Sequence, residues 1–545
     1  MDKSTRSHPR LSPVNGKPIL LGFDGADMSS DAGLTLLREI ERQAGLAQRL
    51  ASCMVDPRDP AKVQHNLAEI MRFRIMMIAA GYEDGNDAAT LRHDPGFKLA
   101  LERGPETGAA LCSQPTISRM ENLADMRALI RMGREMVRVY CQSFAQPPGQ
   151  IILDIDDTFD AVHGHQQLRL FNAYYDEYGF QPIVVFDGDG RLVGALLRPA
   201  RRPKGAESAA HIRRLIRQIR RHWPKTEILL RADGHYATPQ VLDLCDRLGL
   251  RYVFGLPKNS RLAEHILPLE TSTAARYARK PGQKLRRFKT FFYAARSWSK
   301  TRRVIARVEV SPNGRDTRYI VTNLEGGRGK HLYEKLYSAR GQPENHIKAW
   351  KTHLASDRTS CSKATANQMR LMLHGAAYWI WWKLRAACPK KSPWRRAQFD
   401  TLRLYLAKLA ATIVEKKTRI IVTPALRCPR PARASLTHAR PDNPETSIHM
   451  TQDQVAGRTV NRTPTSDARE NPQARKTNYP SRKLQLHELL RLSPRVNLNQ
   501  YLNFVAVDFI GRDGAEGSIP NLEDDDRNHE RGGEGGGEGV CIFAG

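Results

Sequence analysis

Ile151-Ile152-Leu153-Asp154-Ile155-Asp156 is a short apolar run that ends in acids, and Glu227-Ile228-Leu229-Leu230-Arg231-Ala232-Asp233 is another. Apolar runs of roughly four to eight residues with polar boundaries suit strands buried on both faces. Between them, Pro182-Ile183-Val184-Val185-Phe186 and Leu192-Val193-Gly194-Ala195-Leu196-Leu197 flank the turn-forming Asp187-Gly188-Asp189-Gly190, which predicts a hairpin. A helix follows. Ile212, Leu215, Ile216, Ile219 and Trp223 share one face, with Arg213, Arg214, Arg217, Arg220 and Arg221 on the others. Past Asp233 the pattern predicts a helix over 238–248 and a strand over 251–256. Strand, hairpin, helix, strand, helix, strand is an α/β order, a mixed sheet with helices on its faces.

Toward the N-terminus, residues 1–30 read as a flexible lead and 31–149 as a helical region. Leu34, Leu36, Leu37, Ile40 and Leu46 recur at helical steps. Ser118 and Glu121 have capping-box spacing before the apolar run 123–137. Gly81-Tyr82-Glu83-Asp84-Gly85-Asn86-Asp87 reads as a solvated connector. Toward the C-terminus, 258–325 is basic and reads as a β-rich insertion, with strands at 302–310 and 319–322. Helical character returns over 332–414. Residues 425–545 are rich in Pro, Arg, Ser, Thr and Asn and end in the acidic Glu523-Asp524-Asp525-Asp526 and a Gly/Glu stretch. That composition predicts a low-complexity, disordered tail.

The 545 residues carry 86 Lys+Arg against 57 Asp+Glu, a net charge of +29. Such an excess favours a polyanionic partner, nucleic acid before an anionic membrane. No run of about 18 apolar residues occurs, so no transmembrane helix is expected. The polar N-terminus lacks a signal-peptide core. The 8 cysteines are scattered without a C-x-x-C pair, which argues against zinc fingers and disulfide frameworks and for a reducing, cytoplasmic setting. Gly326-Gly327-Arg328-Gly329-Lys330 lacks the spacing and the hydroxyl residue of a nucleotide-binding P-loop.

Three acids stand out by position. Asp156 (or Asp154) and Asp233 end separate strands, and Glu344 lies on a later helix. Neighbouring strand ends can bring two carboxylates together, and a helix across that edge can add a third. Three such oxygen donors are what two Mg²⁺ ions need to clamp the attacking and leaving oxygens of a phosphodiester; each acid alone would read as an ordinary surface group. Tyr337, Arg340, Glu344 and Lys351 stand at offsets 0, 3, 7 and 14. At about 100° per residue they share one arc of a continuous helix. Gly341 and Pro343 interrupt that run, and Pro343 suits a first helical position, so the helix can restart there. Arg340 and Lys351 are then either ordinary surface cations or holders of phosphate oxygens.

This pattern resembles the DDE transposases of bacterial insertion sequences, in the branch with a Tyr-(2)-Arg-(3)-Glu-(6)-Lys signature. Tyr337, Arg340, Glu344 and Lys351 match each of its spacings. Leu153-Asp154-Ile155-Asp156-Asp157-Thr158, followed by His163-Gly164-His165-Gln166, is similar to the family's first aspartate motif, and Arg231-Ala232-Asp233-Gly234-His235-Tyr236 to its second. The 81–87 segment and Ser113-Gln114-Pro115-Thr116-Ile117-Ser118-Arg119 resemble the leader regions of one such family. The resemblance covers about residues 30–424.

It implies an RNase H-like core in two parts, 150–257 and 326–424, around the insertion 258–325, with a DNA-binding helical region at 31–149. It also implies Asp156, Asp233 and Glu344 as catalytic metal ligands for two Mg²⁺ ions, with Mn²⁺ as a substitute. Asp156 is preferred because it stands two before Thr158, as the family's aspartate does, with Asp154 the alternative. Tyr337, Arg340, Lys351 and Trp298, the last among Arg296, Lys300, Arg302 and Arg303, are then DNA contacts. Trp298 could stack on a flipped base, or simply be packed. The implied reaction is hydrolysis at the element's ends, then attack of the freed 3′-hydroxyl on target DNA. The implied partners are terminal inverted repeats, target DNA and a second copy of the chain, in a bacterial, nucleoid-associated setting.

Two rival readings stand beside this one. Asp154-x-Asp156-x-Thr158 also fits a haloacid dehalogenase-type phosphatase, with Asp154 as covalent nucleophile. Asp233-Gly-His-Tyr is a poor match to that family's later acidic motif. The other rival is a decayed transposase that only binds DNA.

Overall fold

The computed structural model describes residues 12–17, 19, 27–388 and 392–425. Helices Leu34–Ala44 (α1), Leu46–Ala51 (α2), Leu67–Ala80 (α3), Gln114–Leu123 (α4) and Met126–Cys141 (α5) come first. The capping-box expectation is overturned. Pro115 opens α4 early, so Ser118 lies inside that helix, and Asp125 caps α5 by accepting the Ala128 amide at 2.7 Å. Glu121 instead pairs with the fully buried Arg74 at 3.1 Å.

The sheet begins with Gln150–Asp157 (β1), Ile183–Asp187 (β2) and Leu192–Leu196 (β3). The helix Gly205–His222 (α6) leads to Glu227–Ala232 (β4), and Pro239–Arg247 (α7) leads to Arg251–Leu256 (β5). β1, β4 and β5 are parallel neighbours, and β2 and β3 continue antiparallel on the other side. This is the order read from the sequence. On α6, Ile212, Leu215, Ile216, Ile219 and Trp223 are all buried.

The stretch 258–325 holds a long helix, Ser260–Arg279 (α8), and strands Leu285–Tyr293 (β6), Arg302–Ser311 (β7) and Gly314–Thr322 (β8). These strands do not make a sheet of their own. β8 pairs with β5, giving one eight-stranded mixed sheet in the order β6-β7-β8-β5-β4-β1-β2-β3. Helical turns run from Gly329 through Gly341–Lys348 (α9) to His353, and Ala364–Ala387 (α10) follows. α10 is buried from Met369 to Trp382 against α1, α3, α4, α5 and β3, so the N-terminal helices and the sheet share one core.

Three further expectations are corrected. Helix does not continue to 414: Ala411–Lys416 (β9) and Arg419–Pro424 (β10) form a hairpin. β-branched Thr412, Ile413, Val414, Ile420, Ile421 and Val422 favour that extended state. Met28–Ser29, at the end of the supposed flexible lead, pair with β9. The 81–87 segment is also tied down. Arg74 donates to the Tyr82 and Glu83 carbonyls at 3.1 and 2.5 Å, and Arg358 reaches Asp84 at 2.7 Å. The tail expected over 425–545 lies outside the described residues, apart from Ala425. Among the described residues no helix is long and apolar enough to cross a membrane, and all six cysteines there are free.

Candidate active site

The strand register brings the first two acids together. Ile155 of β1 lies opposite Ala232 of the parallel β4. The next residues are Asp156 and Asp233, at the carboxyl ends of adjacent parallel strands, where open α/β sheets place their ligands. Asp156 shares a sheet face with Ile152 and Asp154, because strand side chains alternate. The helical segment 329–353 covers that face, with Leu332 and Tyr333 packed on Leu229, Val253, Ile305 and Ile320.

That segment is one helical run with changing winding. Leu332–Tyr337 and Ala349–His353 are π-helical, Ser338–Arg340 is 3₁₀, and Gly341–Lys348 is α. Pro343 therefore does not restart the helix; it is the third residue of α9 and is buried. The uneven winding also spoils the single arc expected for the four signature residues.

Arg340 is the centre of the site. Its guanidinium lies 3.0 Å from Asp156, 2.9 Å from Asp233 and 4.0 Å from Glu344. Burial pushes the Asp156 carboxyl up to about 6, with help from the Asp233 and Asp157 charges and against the pull of Arg340. Burial opposes the charge on Arg340 too, yet Asp156 and Asp233 hold its pKa above the ordinary value. Glu344 is the open member of the three, with its side chain 68% exposed. It is seated by its neighbour His346, whose ring packs on Phe186 at 5.6 Å. Burial lowers His346 to about 4, so the seat is neutral.

The other signature residues part company. Tyr337 is wedged against the turn after β4. A Cβ on Gly255 would come within 2.7 Å of the Tyr337 hydroxyl and 2.9 Å of the Gly234 amide. Only glycine at 255 lets these three meet, so Tyr337 braces the backbone beside Asp233. Lys351 is turned away from the acids. Its ammonium meets the Phe159 carbonyl and lies 3.5 Å from Asp160 and 3.9 Å from Asp357. Trp298 packs edge-on against Tyr293 at 5.5 Å, with Arg302 5.9 Å from its ring. It joins the core on the sheet face opposite the acids.

Asp154 is a different kind of group. It is 1% exposed and clamped by Arg231, Nε to Oδ1 and Nη2 to Oδ2, both at 2.6 Å. Arg231 also donates to the Leu336 carbonyl at 2.9 Å, tying β4 to the helical segment. A nucleophile needs access, so this burial removes the geometric basis for the phosphatase reading. Asp157 points to the other face, where His235 lies 2.7 Å away. Burial raises its pKa, but His235 and Gln181 outweigh that and hold it low. Sequence reading overlooked Arg231 and His235 as partners, although the period-2 alternation of β1 already separates Asp157 from Asp156.

A family model described as transposase DDE domain group 1 matches residues 11–440. The chain belongs to this transposase family. One solved structure is similar over 77% of this chain and 87% of its own, at 12% identity and a TM-score of 0.35. It is described as a piggyBac transposase synaptic complex with hairpin DNA. No curated protein gives a significant match.

DDE transposases use divalent metals, and the donor set here suits one. The three carboxylates offer oxygen ligands alone, the chemistry of Mg²⁺ and Mn²⁺. They already converge on a shared cation, the Arg340 guanidinium. With that guanidinium between them, no three acidic, His or Cys side chains among the described residues close on a single point.

Proposed function

We propose that this transposase binds the inverted repeats of its insertion sequence, hydrolyses the DNA at their ends and joins the freed 3′-hydroxyls to target DNA. The observation that carries the reading is Arg340 held between Asp156 and Asp233 and facing Glu344. Strand order β3-β2-β1-β4-β5, with α6 and α7 as crossovers, agrees with an RNase H-like core, and the net charge of +29 agrees with a DNA substrate.

Asp156, Asp233 and Glu344 would hold two Mg²⁺ ions, or Mn²⁺. Bound there, the ions would supply an activated water and neutralise charge on the phosphodiester. The protein's own groups do the rest. Without DNA, Arg340 offsets the mutual repulsion of the acids. When a phosphate arrives, the guanidinium can turn its donors from carboxylate to phosphate oxygens, the same planar geometry serving both. Tyr337 keeps Asp233 in place through Gly234, and Lys351 anchors the chain beyond β1 through the Phe159 carbonyl. The helical region 31–149 would grip the repeats, and two copies of the chain would pair the two ends.

The test is strand cleavage of DNA carrying the inverted repeats that flank the gene, with Mg²⁺. Asp233→Asn should abolish cleavage and weaken Mn²⁺ binding measured by calorimetry, while leaving binding to the repeats. Undiminished cleavage by this variant would refute the assignment, and DNA binding without cleavage by the native chain would favour the decayed transposase.

A further inference from the structure

A cleft of about 330 Å³ opens between α5, α6 and the edge strand β3. Two strands, β2 and β1, separate β3 from the strand that leads to Asp233, about 14 Å at sheet spacing, so the cleft stands apart from the acids. Glycines hold it open. Gly133 of α5 and Gly194 of β3 both line it. A Cβ on Gly133 would meet only the Met372 methyl, at 4.0 Å, and one on Gly194 only Leu215 Cδ1, at 3.9 Å. Both positions have room for a side chain, and glycine inside a helix or a strand costs stability relative to alanine. Packed interiors seldom leave such a space unfilled.

The walls have two characters. Met136, Val137, Leu196, Leu215 and Met372 form an apolar floor. Arg134, Arg213, Arg214, Arg217 and Arg221 form the rim, and among the described residues no acid lines the cleft. The ion pairs of α5 and α6 among those residues are Arg49–Glu135, Arg138–Glu135 and Arg198–Glu207, so none of the rim arginines is paired with a carboxylate. His211 adds a third element. It lines the cleft, and its Nε2 is buried with no hydrogen-bond partner. Burial, helped by the Arg214 charge, lowers its pKa to about 4, so the ring is neutral. A buried ring nitrogen left alone costs free energy that a ligand's polar group would recover.

We propose that this cleft binds a small amphipathic anion, an apolar hydrocarbon or aromatic body carrying one acidic head group. The body would lie over Gly133 and Gly194 on the apolar floor, where its carbon surface leaves water. The head group would accept hydrogen bonds from the rim guanidiniums. The volume is at the lower end of small-ligand sites, roughly 300–1,000 Å³, which are likewise mostly apolar with a few polar groups. A DNA backbone offers the charge without the apolar body, so the floor has no role in gripping it. The site needs nothing from the DNA-cleaving function proposed above. A ligand there touches the N-terminal helices through α5 and the sheet through β3 and α6.

The experiment titrates the full chain with anilinonaphthalene sulfonate, an aromatic anion that fluoresces when taken out of water, and then displaces it. Decanoate, which has both body and charge, should displace it from one site per chain. Sulfate and decanol, each with one of the two, should be at least about tenfold weaker. Gly133→Leu fills the cleft from α5 and should weaken probe binding about tenfold or more. Its unfolding midpoint should be at or above the native one, because helix propensity rises. Arg217→Gln, on the exposed rim, should weaken decanoate about two- to fivefold and leave decanol unchanged. Probe binding at native strength by a folded Gly133→Leu chain overturns the site, as does a native chain that binds no probe saturably. Sulfate as effective as decanoate would mean a bare anion patch and overturns it too. Displacement by a blunt DNA duplex but not by decanoate would assign the arginines to DNA, and the proposal falls. Were Gly133→Leu to lower the midpoint, Arg217→Gln decides, and undiminished decanoate binding by that variant overturns the site.

Discussion

Asp154 and Asp156 stand two residues apart on one strand and face the same way, yet they have opposite fates. Asp154 is sealed inside with a guanidinium of its own, both oxygens matched by Arg231. Asp156 sits at the strand's end and shares a single guanidinium with Asp233 and Glu344. A matched, buried pair is a fixed structural charge, costly to break and unavailable to a ligand. A shared, partly open one leaves lone pairs and negative charge to spare. In the proposed site the difference between a structural acid and a catalytic one is thus one of burial and stoichiometry, since the residue types are the same.

The contrast can be broken at several points. The largest effect is expected from Arg231→Met, which strands Asp154 as an uncompensated buried charge. Loss of about 3–5 kcal/mol of stability should appear in urea unfolding. Adding Asp154→Leu should restore most of it, because the pair is then replaced by apolar groups. If the single variant is as stable as the native chain, the pair is not structural.

Asp160 provides a second buried carboxylate, with no hydrogen bond to either oxygen and Lys351 at 3.5 Å. Burial raises it from 3.8 to about 7, although Lys351 pulls it down. The sign follows from the raised value: the fold favours the neutral form, so folding takes up a proton between these two pH values. This group's contribution is most favourable below about pH 4 and is lost as pH rises toward 7, a change on the order of a few kcal/mol. Asp160→Asn should flatten that part of the stability profile measured by chemical unfolding from pH 4 to 8.

Gly190→Ala sharpens the role of the seat under Glu344. Gly190 has a φ of +78°, and an added Cβ would lie 2.5 Å from the His346 ring. A destabilisation of about 1–3 kcal/mol is expected, with a larger proportional fall in cleavage because α9 must shift. Equal losses of stability and activity would mean that the seat does not position Glu344. Arg340→Gln should have the smallest thermodynamic effect, strengthening Mn²⁺ binding about tenfold without DNA, since the competing cation is gone, and calorimetry reads it directly.

Much of this architecture is legible in the sequence. The five central strands and two crossover helices follow from apolar runs, a Gly-rich turn and one amphipathic face. Asp156, Asp233 and Glu344 meet at one guanidinium as strand-end logic and the signature spacing suggest. The parts that escaped have physical reasons. Equal helical steps could not anticipate the π-helical turn at 349–353 that carries Lys351 away from Glu344. Ser118 had a capping-box spacing, but Pro115 and Asp125 offered stronger boundaries. Between β1 and β2, a small sheet of strands 160–161, 170–172 and 177–180 has strands too short for period-2 alternation to register. Trp298, which the sequence leaves open between a packed ring and a DNA contact, is half-buried against Tyr293 and Arg302.

Glu344→Gln tests the central claim most directly. The side chain is largely exposed and its nearest ionic partner is 4.0 Å away, so the substitution leaves the fold intact and changes one ligand oxygen. Cleavage of the terminal-repeat DNA in Mg²⁺ should fall on the order of 10³-fold, with unfolding midpoint and DNA affinity unchanged. Cleavage at the native rate would contradict a three-carboxylate catalytic centre.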